Sequence, residues 1–213
     1  MAFRLTKIAT ASIFAAFIST AAHAVTYNFA DLSGTGTGVS VQGQFTVDVS
    51  DVGGGNVQFK FMNSGPLASA FEQINFDNSG NALSSFVSLD NSNAGVNFSV
   101  NLKNLPQGQN ASPVFNSDFG FQATPPPGGP NGNSINPGEM LGITFSYSTN
   151  FAAVLFALDT GGLRIATHVI SLPDGSSDTL ITTPPSPVPL PAGGWMLLAG
   201  IGGLMAMRRR KSA

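Results

Sequence analysis

The sequence predicts an all-β body, an antiparallel β-sandwich of jelly-roll-like form with one short helix, flanked by an N-terminal signal peptide and a C-terminal transmembrane helix. Three observations lead there. Apolar residues recur at every second position through several short stretches, the pattern of strands with one buried face. Gly and Pro number 25 and 14 in 213 residues, and with Asn, Asp and Ser they separate those stretches as turns do. Hydrophobic residues make up 42%, enough for a core, whereas charged residues make up 9%, against roughly 25% in an ordinary soluble domain. That balance favours short strands over long surface helices, in a single domain.

The first 24 residues read as a signal peptide. Arg4 and Lys7 supply the positive start, Ile8 to Ile18 is an apolar run too short to span a bilayer, and Ala22-His23-Ala24 fits the small-x-small rule for signal peptidase. The cut is expected between Ala24 and Val25, so the body is 25–181.

Within the body, Val39, Val41, Phe45, Val47 and Val49 form one alternating run and Val57, Phe59 and Phe61 another. Gly53-Gly54-Gly55 between them predicts a hairpin. Further strands are expected at Val96 to Leu102, at Phe115, Phe119 and Phe121, at Leu141 to Tyr147, and at Leu163, Ile165 and Val169. The one helix runs from Phe151 to Leu158, capped by Thr149 or Asn150. Ala123 to Gly138 reads as a long loop rich in Pro, Gly and Asn. Of 17 Phe, all but Phe3, Phe14 and Phe17 lie in the body, on the apolar phase expected of core.

Behind the body, 182–187 is a Pro-rich extended linker, followed by Val188, Pro189, Leu190, Pro191 and Ala192. Ala192 to Met207 is apolar throughout, about 24 Å of helix against a hydrocarbon core of about 30 Å. Trp195 suits the headgroup level, and Arg208, Arg209, Arg210 and Lys211 form a basic stop that stays cytoplasmic. The body then lies outside, in agreement with the signal peptide. A plain single-pass anchor is the simpler alternative for this tail.

Val188-Pro-Leu-Pro-Ala192, the Gly-rich apolar stretch and the basic end resemble PEP-CTERM sorting signals in their VPLPA variant. The resemblance implies a Gram-negative inner-membrane precursor with its body in the periplasm. An exosortase would then remove the tail over 188–213, leaving a secreted or cell-surface protein associated with exopolysaccharide. Val57 to Pro66, Asn136-Pro-Gly-Glu139 and Gly162 to Val169 are similar, more loosely, to other bodies carrying this tail, which implies a shared fold and no activity.

Charge excludes one class of partner. Only Lys60, Lys103 and Arg164 are basic in the body, against all eleven acids, a balance of −8 that repels nucleic acid. Disulfides and thiolate sites are ruled out because Cys is absent, and no cofactor motif is present. After signal cleavage one His remains, His168, out of phase with Leu163 and Ile165; no Gly-x-Ser-x-Gly elbow accompanies it. Of the body's acids only Glu72 and Glu139 are Glu, whereas Asp51, Asp77, Asp90 and Asp174 stand in turn contexts where Asp bonds its own backbone. The run Asp90 to Gly95 begins like a calcium loop but places Ala94 fifth and Asn101 twelfth, where ligands are needed. The expectation is therefore no enzyme and no metal site, with a structural or adhesive role. A glycan-binding module is the alternative, for which the body's only amphipathic rings are Tyr27 and Tyr147.

Overall fold

The computed structural model describes residues 24–32, 41–124 and 132–183. The expected hairpin is present as β2 (Phe45–Gly53) and β3 (Asn56–Asn63), with positive φ at Gly53, Gly54 and Gly55 in the turn. Phe45, Val47 and Val49 on β2 and Val57, Phe59 and Phe61 on β3 are fully buried; Val47 stands opposite Phe61 and Val49 opposite Phe59 across the ladder. Val41 precedes β2 in a short 3-10 turn rather than in the strand, and Val39 lies outside the described residues.

The other strands are β1 (Val25–Asp31), β4 (Ala70–Asp77), β5 (Leu83–Asp90), β6 (Phe98–Val100), β7 (Phe119–Ala123), β8 (Met140–Tyr147), β9 (Arg164–Ile170) and β10 (Asp178–Thr183). All ten belong to one antiparallel sheet in the order β5-β8-β3-β2-β1-β10-β9-β4-β7-β6. The antiparallel β architecture and the single helix are as expected, but hydrogen bonding does not divide the strands into two sheets. The one sheet curls until its halves face each other. Phe76 on β4 meets Phe59 and Phe61 on β3, Phe145 on β8 and Phe121 on β7, with ring centroids 4.9–6.1 Å apart, all edge-on. Phe71 on β4 likewise meets Phe29, Phe45 and Phe61. Such pairs contribute about 0.5–1.5 kcal/mol each beyond the area they bury. The sheet's edges nearly join, because Asn91, following β5, donates to the Phe98 carbonyl of β6 and accepts from its N–H, both at 3.0 Å.

Helix α1 (Phe151–Thr160) covers one end of this curl. Asn150 is its cap, its Oδ1 accepting from the Ala153 N–H at 2.8 Å, and Gly161 ends it with φ 82. Val154, Ala157 and Leu158 enter the core, and the Tyr27 hydroxyl of β1 donates to Asp159 at 3.0 Å.

The other end of the sheet adds a buried amide network to the apolar packing of Phe45, Phe71 and Ile135. Gln44 bonds Leu67 in both directions and donates to Ser69, while Asn63 donates to the Ser69 and Ile135 carbonyls. Each amide bonds loop backbone, at Leu67 for Gln44 and at Ser69 and Ile135 for Asn63.

Residues 101–118 form a strap across the outer face of β7, β4, β9 and β10. Lys103 O accepts from Asn75, Pro106 O from Thr179, and the Pro113 and Val114 carbonyls from Arg164. Phe115 was expected in a strand with Phe119 and Phe121. Instead it belongs to the strap, in a small outer cluster with Leu105, Ala111 and Ala166, and the Arg164 guanidinium lies 5.3 Å from its ring. The strap approaches β7 closely at Gly120, where a Cβ would lie 2.7 Å from the Asn101 carbonyl oxygen. Strand β6 is shorter than the alternation suggests: Val96 and Phe98 are buried, but Val100 and Leu102 are exposed where the chain leaves the edge for the strap. At the body's end, β10 runs through Thr182 and Thr183, the last of the described residues.

Candidate functional site

One groove on the described surface lies over β3, β8 and the end of β5. Outward positions on β3 present Gln58 and Lys60, and outward positions on β8 present Met140 and Gly142. Gly142 pairs with Lys60 on one side and with Asp90 on the other. A cation and a carboxylate therefore stand on either side of a residue with no side chain, two strand spacings or about 10 Å apart at the backbone. A Cβ at Gly142 would come within 3.2 Å of both Asp90 Cβ and Gln58 Nε2, so the glycine keeps the groove open. Ser92 and Asn93 complete its rim, around a volume of about 260 Å³.

The Asp90 carboxyl is held below its usual range by the Ser92 hydroxyl and N–H, with a further contribution from Lys60. It is thus anionic at neutral pH and faces a cation across the groove. Such a site can take a small polyhydroxylated or dipolar ligand by charge and amide hydrogen bonds. No aromatic ring lines it. The strand alternation hides this arrangement, because Lys60, Asp90 and Gly142 come from three separate strands; the one sequence signal is a glycine inside an alternating strand, which marks a close approach or a gap.

The Asp90 to Gly95 run uses its polar side chains internally. Asp90 Oδ1 accepts from the Ser92 N–H, Asn91 spans to Phe98, and Asn93 Oδ1 accepts from the Met140 N–H. Among the described residues no group of three His, Asp or Glu side chains is placed to hold a metal ion. The remaining turn aspartates behave alike: Asp51, Asp77 and Asp174 each accept from the N–H two residues on.

Asp77 does more. Burial opposes its charge, yet the Asn116 and Ser79 N–H groups and Arg164 hold its carboxyl below the ordinary value. Its Oδ2 pairs with Arg164 beneath the strap, with side chains 1% and 12% exposed. This pair ties β4, β9 and the strap together.

His168 projects from the outer face of β9, half-buried, with Nδ1 3.5 Å from the Thr179 hydroxyl. Burial pushes its pKa down, partly offset by Glu72 and Asp178. Glu72 stands at the bulge where β4 pairs with β9. Glu139 is occupied elsewhere: its Oε2 accepts from the N–H and side chain of Asn136, closing the turn Asn136-Pro-Gly-Glu139. Tyr27 is buried, and burial together with Asp159 raises its pKa. Tyr147 is half-buried against the core and lines neither this groove nor the second pocket, which the strap forms around Leu105 and Phe115.

Of the expected processing positions, Ala24 is exposed and Val25 is the first residue of β1, paired with Val49. Ala22, the motif Val188 to Ala192, the apolar stretch and the basic stop lie outside the described residues. Among the described residues no helix is long and apolar enough to cross a membrane. Compared with known proteins, the chain matches no family model, no curated protein and no solved structure.

Proposed function

We propose that this chain is an exported envelope protein of a Gram-negative bacterium, freed of its signal peptide before Val25 and of its tail by an exosortase. Its body then serves a structural or adhesive, non-catalytic role at the cell surface or in an exopolysaccharide matrix. The observation that carries the first half is the position of β1. The strand begins at Val25, the first residue behind Ala22-His23-Ala24, and lies inside the sheet between β2 and β10. A cut there leaves the fold whole. The sandwich-like, jelly-roll-like description of the body rests on the two facing halves of the curled sheet. Support for the second half is the order of VPLPA motif, apolar stretch and basic stop.

Intact mass of the protein recovered from the envelope and medium of a host with the matching exosortase tests both halves. The expected masses lack Met1 to Ala24 and the tail from near Pro189. Retention of the tail in that host would reject sorting and leave an ordinary single-pass membrane protein.

A second reading, a glycan-binding module, is favoured by the groove between Lys60 and Asp90. Gly142→Leu fills the groove and Lys60→Ala removes its cation. Both are expected to abolish calorimetric binding of the host's exopolysaccharide to residues 25–183. Equal heats for wild type and both variants would remove the groove from consideration.

A further inference from the structure

The end of the body covered by α1 carries an apolar surface that the fold leaves uncovered. Every residue from Phe151 to Leu158 is apolar, yet only Val154, Ala157 and Leu158 are buried. Ala152, Phe156 and Asp159 are exposed at the i, i+4, i+7 spacing of one helix face, while Leu155 beside them packs half-buried against the core. Phe156 is 69% exposed, and Val52, 50% exposed, stands on the β2–β3 hairpin at the same end of the sheet.

The chain leaves the body at this end too. Thr183, last in β10, pairs with Asn28 near the start of β1, and β1 starts opposite the end of β2, beside that hairpin. From Thr183 only residues 184–191 precede the apolar stretch that begins at Ala192. At about 3.1 Å per residue, eight Pro-rich residues reach about 25 Å, roughly the length of one eight-residue strand. A tail inserted in a bilayer would therefore keep the α1 end within about 25 Å of the lipid surface, while Leu67 and the amide network lie at the far end of the strands.

We propose that the α1 end is a membrane-docking surface: while the tail is attached, Phe156, Ala152 and Val52 rest in the headgroup region of the bilayer that holds the tail. This rests on the tail reading above. Docking is carried by apolar area and not by charge, because Asp159 and Asp51 flank the patch and repel anionic headgroups. Removal of the tail would release the surface, since one exposed Phe and its neighbours give only weak, reversible membrane affinity.

The chain has no Cys, so single labels can be placed cleanly. The tail-bearing protein, exported from a host without exosortase, is reconstituted in phosphatidylcholine vesicles with an environment-sensitive fluorophore at Ala152→Cys or, at the far end, at Leu67→Cys. The expected result is flotation with the vesicles, a blue-shifted signal at position 152 that chain-brominated lipid quenches, and an aqueous signal at 67. Adding Phe156→Asp, an exposed change whose folding is checked by thermal unfolding, is expected to return the 152 signal to aqueous with flotation intact. Flotation with both labels aqueous would overturn docking while leaving the tail reading standing. No flotation would overturn both. Shielding at 152 without lipid quenching would assign the surface to a protein contact and reject the bilayer as its occupant.

Discussion

His168 illustrates how a single residue can be placed correctly in sequence and still owe its chemistry to the fold. Its phase in β9 puts it on the outer face, as the alternation implies, but the strap and the neighbouring strands make that face half-buried. Burial lowers its pKa from the usual 6.5, so the folded state binds fewer protons than the unfolded chain as the pH falls through that value. Stability from this group is complete above about 6.5 and is lost as pH drops through the folded pKa. Urea denaturation of residues 25–183 at pH 7.5, 6.5 and 5.5 is expected to give falling midpoints, and His168→Gln is expected to flatten the fall. The carboxylates held low, Asp77, Asp90 and Asp174, titrate below this window and leave it clear. Identical slopes in the two proteins would show that His168 is not the group responsible. The turn aspartates were legible because their partner is two residues away. The Asp77–Arg164 pair was not, because 87 residues separate its members and it is the β4–β9 ladder, where they stand directly opposite, that brings them together.

Among elements, legibility follows whether one face is wet. Strands β2, β3 and β8 alternate cleanly because their outer faces meet solvent, and all three were readable. Strand β4 is buried on both faces, by the Phe core inside and the strap outside, and a bulge between Phe71 and Gln73 shifts its phase partway. Gln73 and Asn75 then occupy buried outer positions, where they bond the strap's carbonyls, so polar residues mark a buried strand. Two bulges break β5 in the same way, at Leu83/Ser85 and at Phe86/Ser88. Strand β1 does carry an alternating run, Val25, Tyr27 and Phe29, although it is not among the strands expected, whereas β10 is short and Leu180 is its one fully buried apolar residue. The helix was readable from its Ala-rich apolar stretch, with its cap left between two neighbours. Geometry assigns the cap to Asn150, whose side chain replaces a missing backbone partner at the first turn. Asn150→Ala is expected to cost about 1 kcal/mol in thermal or chemical denaturation, and Thr149→Ala, at an exposed position outside the cap bond, to change little. Equal losses from both would mean that the two residues share the cap.

At the scale of the whole molecule, the sheet's order joins the body's first strand to its last. Strand β1 lies between β2 and β10, and β10 in turn connects β1 to β9. Without β10 the sheet separates into β5-β8-β3-β2-β1 and β9-β4-β7-β6, two halves whose Phe rings face each other but whose backbones share no ladder. Removing it would leave the β1 and β9 edges unpaired near a core whose Leu180 contact, fully buried, is also lost. Unpaired strand edges beside exposed apolar surface are aggregation templates. The halves therefore share no backbone ladder until β10 is in place, so a chain that emerges N-terminus first completes its sheet last. A body ending at Gly175 is expected to lack a cooperative unfolding transition and to bind hydrophobic dye, whereas residues 25–183, without signal or tail, are expected to unfold in one step. Cooperative unfolding of the shorter chain would show that the facing Phe layers alone hold the halves together, and that β10 only seals a seam between them.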